Sequence, residues 1–277
     1  MRTEPVAIIT SGGGMKCAYS GGALTALAKK LGLTDPDIYV SASGSVGNMF
    51  YFLARQFDAG ETVWTRYVPT PEFISYFPVP KMRVDYLVDR VFREFMPLDV
   101  KRFEATPTRW FVPVVDEETG VANFLSNEYW LDPYEVMRAA KAIPILYNGH
   151  VRLGSHGYLD GDMATSTATL IQKALDAGAR RILCITNTNA PSRLARIALK
   201  TYAHLQPSGL RDAVLNDIEQ HKEIAWPENL QFTCLSPSEP LPVGVATRNR
   251  RKVCEAFYMG YDDLMAKSEE IKGLFAE

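Results

Sequence analysis

The sequence predicts an α/β protein built in three layers, α/β/α, around a mostly parallel central sheet. Two observations carry that expectation. A short apolar run, a tight turn and a helical stretch follow one another twice near the start, and further apolar runs alternate with helical segments to the end. The runs are β-branched and lack polar alternation, as strands do when helices cover both faces of a parallel sheet. With 277 residues, 47% of them hydrophobic and 22% charged, the chain can bury one sizeable core. No tract rich in Pro, Gly or Ser divides it. Residues 1–277 are therefore expected to form one domain, with a helical C-terminal extension from about 190 to 277 packed on it.

Taken in order, Val6-Ala7-Ile8-Ile9-Thr10 reads as a buried strand stopped by Ser11-Gly12-Gly13-Gly14, and Ala18 to Lys30 as the helix that follows. Asp37 to Val40 is the next strand, Ser41 to Ser45 its turn, and Val46 to Arg55 its helix. Trp110 to Val115 and Val121 to Leu125 flank a five-residue connection, Asp116 to Gly120, and read as a hairpin. Asp132 caps a helix that has Pro133 at its first position and runs to Ala142, where Pro144 stops it. A helix at Ala168 to Ala177, a strand at Arg181 to Thr186 and a strand at Leu230 to Leu235 follow. Amphipathic helices are expected at about Leu210 to Ile224 and Arg248 to Lys267. The stretch from Trp64 to Pro80 differs from the rest, since Tyr67, Phe73, Tyr76 and Phe77 crowd among Pro69, Pro71, Pro78 and Pro80, and the prolines forbid a regular helix. Such a stretch suits a loop that covers a site or meets a lipid surface, or one tucked onto the protein's own core.

Composition removes several function classes. A net charge of −2 gives no basic stripe for nucleic acid. No run approaches the roughly 18 apolar residues of a membrane span, and the opening Met1 to Pro5 leads into too few apolar residues for a signal-peptide core. The expectation is a cytoplasmic protein whose contact with a membrane would be peripheral. Cys17, Cys184, Cys234 and Cys254 form no CxxC pair, so no metal site, disulfide framework or cofactor is expected. Oligomeric state is not readable.

Three segments carry chemistry. Gly12-Gly13-Gly14 after the first strand can converge bare amides on an anion, either an oxyanion or a phosphate. No Lys-Ser/Thr follows for a Walker loop, and Cys17 takes the last glycine place of a dinucleotide loop. In the turn Ser41-Ala42-Ser43-Gly44-Ser45 a serine is flanked two residues either side by small residues, as a strand-to-helix nucleophile elbow requires. Ser45, between Ser43 and Gly47, satisfies the same rule. Asp160, in Gly157-Tyr158-Leu159-Asp160-Gly161-Asp162, is either an ordinary Asp-Gly turn or a carboxylate able to take a serine proton directly.

In this order the three segments resemble the patatin-like phospholipase family, above all its bacterial members, over most of the chain. Gly12-Gly13-Gly14-Met15-Lys16-Cys17 is similar to the family's Gly-Gly-Gly-x-Arg-Gly oxyanion loop, Ser41 to Ser45 to its Gly-x-Ser-x-Gly elbow, and Asp160-Gly161-Asp162 to its Asp-Gly-Gly/Ala. Arg138-Ala139-Ala140-Lys141-Ala142-Ile143-Pro144 is similar to its Arg-Ala-Ser-x-Ala-x-Pro helix end. The resemblance implies a Ser43–Asp160 dyad, an oxyanion hole at Gly12, Gly13, Gly14 and Met15, and supporting roles for Lys16, Gly44 and Gly161. It favours Ser43 over Ser45. It further implies hydrolysis of a lipid or small ester through an acyl-enzyme, with neither metal nor cofactor. The chain departs from the pattern with serines at both elbow glycines, Lys16-Cys17 for Arg-Gly, and Asp162 for a small residue. Two alternatives stand beside this one. A Ser-His-Asp triad would draw on His204 or His221, since His150 and His156 precede the acid. A catalytically silent protein would keep the fold and bind or regulate.

Overall fold

A computed structural model describes residues 4–77, 81–129, 131–144, 146, 147, 149, 151–187, 211 and 226–276. Val6–Thr10 (β1) runs through the glycine loop and one 3-10 turn, Gly14–Cys17, into Ala18–Lys29 (α1). Ile38–Ser41 (β2) runs through the serine turn into Ser45–Leu53 (α2). Phe57–Thr62 (α3) passes into a π-helical stretch, Val63–Tyr67, and Ile74–Ser75 (β3) pairs with Lys81–Met82 (β4) outside the main sheet. A second π-helical stretch, Tyr86–Phe95, and Val100–Glu104 (α4) precede the hairpin of Arg109–Asp116 (β5) and Ala122–Ser126 (β6). Then come Pro133–Ala139 (α5), Val151–Leu153 (β7), His156–Asp160 (β8), Thr167–Asp176 (α6) and Arg181–Ile185 (β9). Gln231–Leu235 (β10), Arg250–Ala266 (α7) and Ser268–Phe275 (α8) follow. The helix expected at about 210 to 224 and the prolines at 78 and 80 lie outside the described residues.

The layers follow from residue alternation. Ile8, Tyr39 and Leu183 point to one side of the sheet, where they pack with residues of α1, α2 and α7; Ala7, Ile9, Ile38, Val40, Ile182 and Cys184 point to the other, against Leu170, Ile171, Ala174 and Leu175 of α6. Buried on both faces, these strands have no polar row. Helices α1 and α7 touch backbone to backbone: a Cβ on Gly22 would strike the Phe257 carbonyl, and one on Gly260 the Tyr19 carbonyl. That approach buries Phe257 completely, a contribution on the order of 2 kcal/mol.

Strand order is β10-β9-β1-β2-β5-β8-β7, with β6 on β5. From β10 to β5 the sheet is parallel, and β6, β8 and β7 are antiparallel. The register around β5 sets the site. Phe111 pairs with Val40 of β2 and with Ser126 of β6, so β2 and β6 lie on opposite edges of β5. Val114 pairs with Asn123 of β6 and with Asp160 of β8, so β8 is also opposite β6. Strand β8 thus takes over the edge that β2 leaves, and the ends of the two strands meet head to head. Ser43, three residues past Val40, comes level with Val114 and its partner Asp160.

Helix α5 stops at Ala139, short of the expected Ala142. The next residues tighten, with the amides of Lys141 and Ala142 donating to Arg138 and Ala139, and this frees the Ala142 carbonyl to accept the Asp160 amide at 3.1 Å.

Candidate active site

Ser43 has φ of 51°, in the left-handed region, shared among non-glycine residues described here only with Arg55. Holding it there costs on the order of 1 kcal/mol, which the surrounding bonds must offset. The Ala42 amide donates to Thr10, and the Ser45 and Val46 amides donate to Ala42 and Ser43. The serines that stand for glycine are used as ties: Thr10 Oγ1 donates to Ser41 Oγ at 2.8 Å, and Ser45 Oγ donates to the Ser11 carbonyl at 2.8 Å. Ser45 therefore binds the elbow to the glycine loop, while the Ser43 hydroxyl points elsewhere. Gly44 allows the two loops to touch, since a Cβ there would sit 2.8 Å from the Gly14 carbonyl oxygen and 2.9 Å from Cys17 Sγ.

Ser43 Oγ donates to Asp160 Oδ2 at 2.6 Å, with no imidazole between them. Asp160 ends β8, and its Oδ1 accepts the Asp162 amide at 2.9 Å. Complete burial raises its pKa to about 8; the Asp162 charge adds to the rise, while the Ser43 hydroxyl, the Asp162 amide and Lys141 oppose it. Gly161 lets the chain cross β5, because a Cβ would strike the Pro113 backbone. The exposed Asp162 lays its carboxylate where a Cβ of Gly12 would be, so a side chain at 12 would push that carboxylate aside. His156 pairs with Asp116 at 3.0 Å, and His150, His204 and His221 lie outside the described residues.

In the glycine loop Gly13 and Gly14 have φ of 135° and 57°. The amides of Gly12, Gly13 and Gly14 find no acceptor among the described residues, whereas Met15 donates to the Val245 carbonyl at 2.9 Å. Lys16 donates its amide to Gly13 and runs its side chain along that glycine. The Val245 segment is anchored in turn: Tyr76 OH donates to the Ala246 carbonyl and accepts the Arg248 amide, with the Arg248 guanidinium 4.6 Å from the Tyr76 ring centre.

Ser43, Gly14 and Met15 open onto a cavity of about 40 Å3 walled mainly by apolar side chains, including Val63, Val68, Phe73, Met82, Val84 and Leu87. That space holds only a few waters, so a larger guest must push the walls apart. The aromatic stretch is split by this wall: Trp64 and Phe73 turn inward and are buried, while Phe77 is 87% exposed.

Sequence reasoning missed two side chains here. Asn187, at the end of β9, donates through Nδ2 to the Ser11 carbonyl at 2.6 Å and Ser45 Oγ at 3.1 Å, and accepts the Ser20 amide on Oδ1. It holds the glycine loop, elbow and α1 together. Lys141 is only 7% exposed, lines the cavity, and donates to the Ser43 carbonyl at 3.4 Å. An isolated Asn after a strand signals nothing, but a lysine inside the apolar helix end at 139–143 is a legible oddity. Among the described residues no group of His, Cys, Asp and Glu could hold a metal ion, and no helix is long and apolar enough to cross a membrane.

No family model matches the chain. The uncharacterized protein YjjU of Escherichia coli (strain K12) is 26% identical over 239 residues, which cover 82% of this chain and 64% of that protein. The chain thus spans less than two thirds of that relative's length. The crystal structure of VipD from Legionella pneumophila superposes with a TM-score of 0.54 at 11% identity, covering 95% of this chain and 66% of VipD. The human GIVD cytosolic phospholipase A2 structure gives a TM-score of 0.45 at 12% identity, over 98% of this chain and 59% of that one. The fold is the expected three-layer α/β/α arrangement around a mostly parallel sheet, and it is shared with VipD.

Proposed function

We propose that the chain is a serine acyl-ester hydrolase of patatin-like type that acts on lipids, in the manner of a phospholipase A, a lysophospholipase or an esterase. The observation that carries this reading is the direct 2.6 Å bond from the hydroxyl of a left-handed Ser43 to buried Asp160, beside the open glycine-loop amides and an apolar cavity. Ser43 Oγ attacks the ester carbonyl carbon and gives its proton to Asp160. The amides of Gly12 to Gly14 receive the oxyanion, while the expected Met15 amide is taken by the Val245 carbonyl. Collapse breaks the bond to the alkoxide, which takes the proton from Asp160, and water clears the acyl-enzyme by the same steps. The acyl chain lies along the cavity, whose lining favours a lipid over a polar ester. The substrate would be met at a membrane surface from the cytoplasm, with residues 1–277 acting as one domain.

A fluorophosphonate probe tests the reading. Ser43 should be labelled, and Ser43→Ala should lose both labelling and release of p-nitrophenol from medium-chain esters. Unlabelled, inactive wild-type protein would leave the silent alternative, and unchanged turnover in Ser43→Ala would remove Ser43 from the mechanism.

A further inference from the structure

Buried lysines are rare unless something holds the charge. The Lys141 ammonium has one hydrogen bond among the described residues, the 3.4 Å contact to the Ser43 carbonyl, and that leaves two of its protons unassigned. Its place is nonetheless fixed. The amide of Lys141 closes the turn after α5 by donating to Arg138, and the next carbonyl, that of Ala142, accepts the Asp160 amide at 3.1 Å. Asp160 accepts the Ser43 hydroxyl at 2.6 Å, and the Ser43 carbonyl returns to Lys141. Three segments distant in sequence thus form a closed ring, with the ammonium on the cavity side and the carboxylate behind Ser43.

We propose that Lys141 is a positioning residue that eases the ionisation of Asp160, and so sets the pH above which Ser43 can lose its proton. This rests on the hydrolase reading above and adds to it a group outside the dyad. The ionisable groups around Asp160 are few. Lys141 approaches from the turn after α5, Cys17 from the turn after the glycine loop, and Asp162 from the residues just beyond β8. Cys17 is buried and its thiol is pushed up to about 12, so it is neutral and supplies no charge. Asp162 carries the same sign as Asp160. Lys141 is thus the group in that set able to stabilise a negative Asp160. Burial lowers the Lys141 pKa to about 8, and the Asp160 charge pulls it back up, so each of the two groups sustains the charge of the other.

Phosphonate labelling of Ser43 followed against pH tests this in wild type, Lys141→Met and Lys141→Arg. Methionine keeps the length and apolar stem of lysine, and thermal melting checks the fold of each variant. The rising limb of the labelling profile should move to higher pH by about one unit in Lys141→Met, a roughly ten-fold loss at neutral pH recovered in alkali. Lys141→Arg should restore most of the wild-type limb. A limb that stays in place in a folded Lys141→Met protein overturns the proposal, as does a variant changed in KM alone, which would make Lys141 a substrate contact. A carboxyl infrared titration, assigned by subtracting the Asp160→Asn spectrum, reads the same coupling without turnover. Should wild-type protein resist the probe at every pH, the hydrolase reading fails by itself, and the infrared shift still decides whether Lys141 eases the ionisation of Asp160.

Discussion

The cleft has two banks of opposite character. On the side of β9, β1 and β2 the buried polar groups around the two turns are neutral and bonded to one another: Thr10 to Ser41, Ser11 and Ser20 to Asn187, Ser45 to Ser11, and Asn48 to Trp64. On the side of β8 and the turn after α5 stand Asp160 and Lys141, both buried ionisable groups with displaced proton affinities, and the exposed Asp162 that pushes on Asp160. A satisfied neutral network rigidifies a loop at little electrostatic cost. Buried ions are costly, and clusters of them mark sites where chemistry uses a shifted pKa. In the proposed mechanism the first bank sets where Ser43 sits, and the second sets how readily it yields its proton.

The largest effect should come from removing the charge of the second bank. Asp160→Asn deletes the base and should lower ester hydrolysis by roughly 10³-fold. It should also raise the melting temperature. The folded protein holds the Asp160 proton up to about 8, while the unfolded chain releases it near 3.8, so the folded state binds more protons between those values. Stability contributed by this group therefore falls as pH rises through that window. Asparagine removes the dependence, and melting curves across pH should show the variant gaining most above pH 8. A less stable Asp160→Asn protein would mean that the carboxylate is structural, and the contrast between the banks would dissolve.

Asn187→Ala attacks the first bank and should do the reverse. It leaves the Ser11 carbonyl and the Ser20 amide short of their partner in a buried region, a destabilisation of about 2–3 kcal/mol. Denaturant unfolding should show that loss. Turnover should fall as the elbow loosens, with the pH profile keeping its wild-type midpoint. A shifted midpoint would show that the neutral bank also controls proton affinity.

How much of this could be read in the chain depends on range. The strands before both turns are legible since burial on both faces leaves a continuous apolar run, and Gly12 to Gly14, Ser43 and Asp160 stand out by local composition. The structure sets the Ser43 hydroxyl against Asp160 and brings Gly14 to the same cavity as Ser43. What sequence could not show was set by register. That β8 would occupy the edge of β5 vacated by β2 depends on a pairing between Val114 and Asp160, 46 residues apart in the chain. Asn187, Lys141 and Val245 acquire their contacts only after those strands align. Cys184 and Cys234, distant in sequence, face each other in register on β9 and β10 for the same reason. The helix end at Ala139 was misplaced because Pro144 is the visible stop, whereas the Asp160 amide is the group that claims the last carbonyl.

The smallest effect sharpens the comparison most, because it tests the second bank while leaving the backbone bond from Asp162 to Asp160 in place. Asp162→Asn keeps the amide that donates to Asp160 Oδ1 and removes one negative charge that raises the Asp160 pKa. The rising limb of the pH–rate profile should therefore move to lower pH, opposite in sign to Lys141→Met. Since Asp162 is exposed, solvent screens its field, and a shift of about half a unit is the expected scale, a two- to three-fold gain at neutral pH. Salt should reproduce part of that shift in the wild-type protein and little of it in the variant. If both limbs stay fixed while the rate drops at every pH, the carboxylate over Gly12 acts by shaping the glycine loop, and Asp162 belongs with the first bank instead.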